Sequence, residues 1–117
     1  MKILIIINDG PYGTEKAYNA LRLANQILRD HKGIELTVFL MADAAGCALE
    51  NQKTPDGYYN IGRFIKSVIR KGGSVKICTA CAEARGLDNA TLIEGTTLST
   101  MAELATLTVD SRKVITF

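Results

Sequence analysis

Strand patterns alternate with helical patterns along the whole of this chain. Residues 3–7 form a continuous apolar run rich in isoleucine, which is typical of a strand buried on both faces. The apolar residues after it recur three and four positions apart, as on one face of a helix. Strands that alternate with helices pair in parallel through right-handed crossovers. The pattern therefore predicts an α/β fold, a three-layer α/β/α sandwich with a parallel sheet of four to five strands.

The same patterns predict where each element lies. Strands are expected over 3–7, 34–41, 75–78 and 113–117, with an ambiguous extended piece at 92–95, and helices over 17–28, 61–69, 79–84 and 98–107. Thr14 is the expected cap of the first helix, and Thr97 or Ser99 that of the last. Residues 42–57 form either a lid or binding loop, or a short helix over 44–51 followed by a surface loop.

Size and charge exclude several classes of protein. A chain of 117 residues suits one domain, 1–117. A net charge of +2 is too small to indicate a nucleic-acid surface. No apolar run approaches the ~18 residues of a membrane span, and the opening run is too short for a signal peptide. We therefore expect a cytoplasmic protein with no nucleic-acid or membrane partner.

Two of the three cysteines, Cys78 and Cys81, lie where a predicted strand gives way to a predicted helix. In an open α/β sheet, ligands bind at the carboxyl ends of the strands. A helix N-terminus beside a thiol favours the reactive thiolate. Because disulfides are rare in the cytoplasm, a Cys-x-x-Cys pair there is more often reactive or metal-binding than structural. The alternative is that both are small buried hydrophobic residues.

No metal and no cofactor are expected. The only histidine, His31, precedes a strand and so lies at the opposite edge of the sheet from Cys78. Cys47 follows a strand and would bring the thiolates to three, whereas a structural zinc site takes four ligands. The chain has neither a Gly-x-Gly-x-x-Gly nor a phosphate-loop sequence, and the 10–13 turn is either an anion-binding nest or a plain turn.

Charged groups that would assist a thiol are few. Arg85 and Lys53 either lower a thiol pKa and hold an anionic sulfur group, or are solvated surface charges. Asp9, Asp43 and Glu83 fall near the same sheet edge, but their spacing gives no carboxylate dyad. The sequence thus favours sulfur chemistry over acid–base chemistry.

Several segments of the chain resemble the DsrE/DsrF-like family. They are 8–15, 38–44, 75–81 with 85–86, 100–104 and 113–117. The resemblance implies a parallel α/β/α sandwich with a sulfur-carrying cysteine just past a strand, which falls on Cys78. Family members of the sulfur-relay type carry a persulfide there, pass it to a partner and assemble as trimers or hexamers. A cysteine at the position of Cys81 occurs in one branch of the family, whereas another branch has alanine at that position.

The expected function is therefore a cytoplasmic sulfur relay of sulfurtransferase type. Cys78 would accept sulfane sulfur from a donor protein and pass it to an acceptor, and Cys81 would be a resolving or tuning thiol. Residues 42–57 and the Tyr12-Gly13 turn would enclose the site in a homo-oligomer, a trimer or hexamer. Two alternatives are a non-catalytic homo-oligomeric module for assembly or small-anion binding, and a dithiol redox switch.

Overall fold

The computed structural model describes residues 1–117 and confirms the α/β class. Its strands are β1 (Lys2–Ile7), β2 (Glu35–Leu40), β3 (Ser74–Cys78), β4 (Thr96–Ser99) and β5 (Lys113–Thr116). Its helices are α1 (Lys16–Asp30), α2 (Ile61–Arg70), α3 (Thr79–Ala84) and α4 (Met101–Asp110), with a 3₁₀ helix at Ala42–Ala48. None of these helices combines the length and apolar character needed to cross a membrane.

The sheet is parallel throughout, with the strand order β4-β3-β2-β1-β5. From β1 to β4 the chain moves across the sheet in one direction, so right-handed crossovers place α1 and α2 on one face. The return from β4 to β5 runs the other way and places α4 on the opposite face. The three-layer arrangement expected from the sequence is confirmed.

The two faces of the sheet are covered unequally. On the first face, a cluster of 22 buried residues joins the sheet to α1, α2 and the 3₁₀ helix. On the second face, α4 buries only Leu104, which packs with Leu4, Phe39 and Cys78. The second core is therefore thin, and Cys78 belongs to it.

The start of the last helix was predicted wrongly. Residues 96–99 are the edge strand β4, in which Leu98 pairs with Ile77, and α4 begins only at Met101. Its cap is Thr100, whose side chain accepts a hydrogen bond from the Glu103 amide at 3.2 Å. Leu98 and Met101 have helical spacing, but strand pairing with β3 overrides it.

One local expectation is wrong, and another is confirmed with shifted bounds. Thr14 does not cap α1; its hydroxyl donates to Asp9 at 2.9 Å, and the cap position is Glu15. Of the two alternatives for 42–57, a short helix followed by a loop is confirmed, with the helix at Ala42–Ala48 and of the 3₁₀ type, and four of its side chains belong to the core. Small apolar side chains, Ala44, Ala45, Cys47 and Ala48, allow this close packing.

Candidate active site

Cys78 lies at the point where the direction of the chain connections changes. It is the last residue of β3 and pairs in register with Ser99, the last residue of β4. The chain leaves β3 toward the α1 and α2 face, where Ala82 joins the first core, and leaves β4 toward α4. In open α/β sheets, adjacent strands whose connections diverge in this way form the ligand-binding crevice. Cys78 therefore lies at the strand ends where such a crevice forms in folds of this kind.

Backbone amides contact the sulfur atoms of both cysteines. The Cys78 sulfur caps α3 by accepting a hydrogen bond from the Cys81 amide at 3.2 Å. The Cys81 sulfur accepts one from the Ala42 amide, also at 3.2 Å. All three cysteines of the chain are free thiols. Since an N–H donor stabilises negative charge on sulfur, both positions are suited to a thiolate formed during a reaction.

Burial nevertheless keeps Cys78 protonated at rest. Its residue is only 8% exposed and packs on Leu4, Phe39 and Leu104. Loss of solvent raises the pKa of the Cys78 thiol above its usual value, and a hydrogen bond with the Cys81 side chain adds to the rise. The amide donor at the start of α3 does not offset this effect. The expectation that a helix N-terminus leaves Cys78 partly ionised in the resting protein is therefore wrong.

Alkylation should report this raised pKa. We expect iodoacetamide to modify Cys78 slowly near neutral pH and faster as the pH rises, with the half-maximal rate above the ordinary thiol value of 9.0, because only the thiolate reacts. Peptide mass spectrometry at each pH measures the rate. The urea-unfolded chain is the control, in which the rate should reach half of its maximum near pH ~8.5–9 and then level off. A plateau below pH ~8 in the folded protein would contradict the burial argument.

Arg85 joins α3 to the 3₁₀ helix. Its Nε donates to the Asp43 carboxylate at 2.9 Å and its Nη1 to the Cys81 carbonyl at 3.1 Å. Arg85 therefore holds the backbone that carries Cys81. Its positive charge is already paired with the Asp43 carboxylate. The sequence analysis did not predict the hydrogen bond from the Ala42 amide or the Arg85–Asp43 ion pair. Ala42 and Asp43 follow β2 closely, so they lie at the same sheet edge as Cys78.

A second polar group lies on the face of the sheet that bears Cys78. The Lys76 ammonium contacts the Glu103 carboxylate at 3.2 Å, and that carboxylate also accepts a hydrogen bond from Ser99. Thr79 donates to the Ser99 carbonyl at 2.8 Å and ties the ends of β3 and β4 together. The sequence analysis did not predict this group. Side chains alternate along a strand, so the sequence of β3 already indicates that Lys76 and Cys78 share one face of the sheet.

The remaining candidates make no hydrogen bond to either thiol of the pair. Cys47 is fully buried in the first core, whereas Cys78 lies in the second, and loss of solvent raises the pKa of Cys47 to about 12. Lys53 lines a surface cavity with Arg63, and the Tyr12 hydroxyl contacts Gln52, so the Tyr12 side chain does not enclose the cysteines. His31 is the exposed residue that ends α1. No group of three metal-ligating side chains occurs in the chain.

Comparison with known proteins identifies relatives of full length. The model of the DsrE/DsrF-like family matches residues 1–117. Protein YchN of Escherichia coli is 38% identical over 116 residues, covering 99% of this chain and 98% of the relative. Protein MJ0989 of Methanocaldococcus jannaschii, described as uncharacterized, is 40% identical over 117 residues and covers both chains completely.

Two further comparisons concern structure and a more distant relative. The crystal structure of the YchN protein from Escherichia coli superimposes with a TM-score of 0.95 at 38% identity, covering 99% of this chain and 98% of that one. Sulfurtransferase TusD of Salmonella newport is 26% identical over 128 residues, covering both chains completely.

Proposed function

The chain belongs to the DsrE/DsrF-like family, and we propose that it is a cytoplasmic carrier of sulfane sulfur with Cys78 as the carrying residue. The observation that supports this proposal most is the position of Cys78 at the divergent ends of β3 and β4, with a backbone amide on its sulfur. The distant similarity to a sulfurtransferase points the same way. Three free thiols suit a reducing compartment.

The proposed reaction has two exchange steps. In the first, the Cys78 thiolate attacks the outer sulfur of a donor persulfide, R–S–SH, whose S–S bond breaks. The donor leaves as the thiol R–SH, and Cys78 becomes Cys78–S–SH. In the second, an acceptor thiol attacks the outer sulfur of that persulfide, becomes a persulfide itself and returns Cys78 to the thiol. Neither step changes the overall oxidation state, so no external oxidant is needed.

Cys81 offers a second fate for the loaded sulfur. Its thiol can attack the inner sulfur of Cys78–S–SH, which forms a Cys78–Cys81 disulfide and releases hydrogen sulfide. The hydrogen bond between the Cys81 amide and the Cys78 sulfur holds the two residues together in the first turn of α3. This geometry favours the dithiol switch as the second candidate function.

Intact-mass spectrometry after incubation with a persulfide donor tests the proposal. We expect the wild type to gain about 32 Da, the mass of one sulfur atom. Cys78→Ser should not gain it, whereas Cys81→Ser should keep it for longer because the resolving thiol is gone. Loss of about 2 Da, the mass of two hydrogens, would instead favour the switch. No adduct with several donors would favour a binding or assembly module.

We also propose that the carrier is a homo-oligomer, a trimer or hexamer, that uses its α4 side as the interface. Val109 on α4 is 84% exposed and Met101 is 62% exposed, and Val114 on the edge strand β5, which pairs with Leu4 and so points to the α4 side, is exposed as well. A monomer rarely leaves so many large apolar side chains on one side. Neither cysteine lines a principal cavity of the single chain, so a second copy would complete the site.

A charge placed on α4 should dissociate this oligomer. We expect Val109→Glu to lower the assembly mass measured by light scattering after size exclusion, because a carboxylate buried in an apolar interface is unfavourable. Val109 is too exposed for the change to unfold the single chain. Asn19→Glu, which adds the same charge to the exposed surface of α1, should leave the mass unchanged. A wild-type monomer, or equal masses for all three proteins, would contradict this interface.

A further inference from the structure

A groove on the outer side of α1 and α2 joins aromatic and basic side chains. It encloses about 430 Å³, within the usual range for a small-molecule site. Its aromatic residues are Tyr58, Tyr59 and Phe64, its basic ones Arg29, Arg63 and Lys71, and no acidic residue lines it. The groove is formed on the α1 and α2 face, whereas Cys78 packs in the α4 core, so the two sites are separate.

The aromatic residues form an ordered stack. The Tyr58 and Tyr59 rings lie 4.6 Å apart at an angle of 21°, and the Tyr59 and Tyr18 rings lie 4.1 Å apart at 20°. The Arg22 guanidinium lies over the Tyr18 ring, 5.2 Å from its centre. Tyr58 is 51% exposed. The Tyr12 ring lies 6.2 Å from Tyr58 at 40° and leaves about half of Tyr58 exposed, so Tyr58 remains available to one more planar group.

Positive charge is concentrated on the same side of the protein. From Lys16 to Asp30 and from Ile61 to Lys71 the chain carries seven basic residues and one acidic residue, whereas α4 carries two acidic residues and no basic one. The Arg63 guanidinium makes no ion pair. The Lys71 ammonium donates only to neutral oxygens of Asn25 and Ser67, so no carboxylate pairs with it. The small net charge of the whole chain, +2, therefore does not reveal the excess of basic residues on this side of the protein.

We infer that this groove binds a free nucleoside phosphate. The base stacks on Tyr58, and the phosphates are held by Arg63 and Lys71. A guanidinium fork matches two phosphate oxygens, and an aromatic face accepts any base. An anion without a ring would leave the Tyr58 platform unused, and an uncharged aromatic ligand would leave the cations unpaired. The volume accommodates a single nucleotide rather than a strand.

Isothermal titration calorimetry with ADP tests this inference. The wild type should bind ADP at least tenfold more tightly than pyrophosphate or adenosine, since each of those lacks half of the ligand. Tyr58→Ala should weaken ADP binding roughly tenfold or more, and Tyr58→Phe, which keeps the ring, should not. Arg63→Gln should weaken it to a similar extent. Arg112→Gln removes the same charge from an exposed position outside the groove and should have little effect.

Three results would overturn the inference. The first is no heat of binding with ADP at concentrations up to about 5 mM. The second is an equal loss of affinity in Arg63→Gln and Arg112→Gln, which would show attraction to overall charge alone. The third is a short single-stranded oligonucleotide that binds at least tenfold more tightly than ADP, which would identify a polynucleotide surface instead. None of these results bears on Cys78, so the sulfur-carrier proposal is judged separately.

Discussion

Replacing Cys78 by serine is expected to reduce sulfur transfer from a persulfide donor to an acceptor thiol at least 100-fold, because a hydroxyl forms no persulfide. Transfer is measured as persulfide that appears on a small acceptor thiol, corrected for the direct reaction without protein. Serine is nearly isosteric with cysteine and is a preferred helix cap, so the cap of α3 should be preserved. An unchanged circular dichroism spectrum would verify that the variant is folded.

The matched control for Cys78→Ser is Cys81→Ser, which leaves the carrying sulfur in place. We expect it to keep transfer within about threefold of the wild type, with less hydrogen sulfide released, because the resolving thiol is absent. If Cys81→Ser loses transfer as completely as Cys78→Ser, the two thiols act as a unit and the dithiol mechanism is favoured. If neither variant loses transfer, Cys78 is not the carrier.

Replacing Phe39 by alanine is expected to destabilise the fold by about 3–5 kcal/mol and to expose Cys78. Phe39 is fully buried and packs with Leu4, Cys78 and Leu104 in the thin second core. The cavity left by its ring would admit water beside the Cys78 sulfur and lower the thiol pKa toward its ordinary value of 9.0. Urea unfolding measures the stability change, and the iodoacetamide rate in the folded protein measures the exposure.

The matched control for Phe39→Ala is Leu21→Ala. Leu21 is also fully buried, but it lies in the first core on the other face of the sheet. We expect it to cost about 2–5 kcal/mol with no change in Cys78 alkylation under conditions where both variants are folded. Equal acceleration of alkylation in the two variants would show that general loosening, and not the local packing of Phe39, exposes the thiol.

The elements that set the position of Cys78 could be predicted from the sequence. The apolar run of β1 and the helical spacing in α1 and α2 are strong periodic signals, and their alternation dictates a parallel sheet. In a parallel sheet all strands point the same way. Cys78, which ends β3, therefore lies at the carboxyl edge, and His31, which precedes β2, lies at the opposite edge. The resemblance to the DsrE/DsrF-like family, confirmed over the full chain, then added the role expected for Cys78.

Features that depend on neighbours distant in sequence were missed. The strand β4 is four residues long and mostly exposed, so its sequence carries no clear alternation, and only pairing with β3 reveals it. The burial that raises the pKa of Cys78 depends on packing in the second core with Phe39 and Leu104, which lie on other elements. The Ala42 amide on the Cys81 sulfur is a backbone contact, to which side-chain motifs give no clue. Such contacts appear only after the chain is folded.

An isotope chase tests the central claim most directly. The protein is loaded from a donor whose sulfane sulfur carries a heavy isotope, freed of donor, and mixed with an acceptor thiol. We predict that the label is found first on Cys78 alone and then moves to the acceptor, one atom for each Cys78 thiol regenerated. Label that never reaches Cys78, or that leaves it only as free hydrogen sulfide with none on the acceptor, would contradict the sulfur-carrier account.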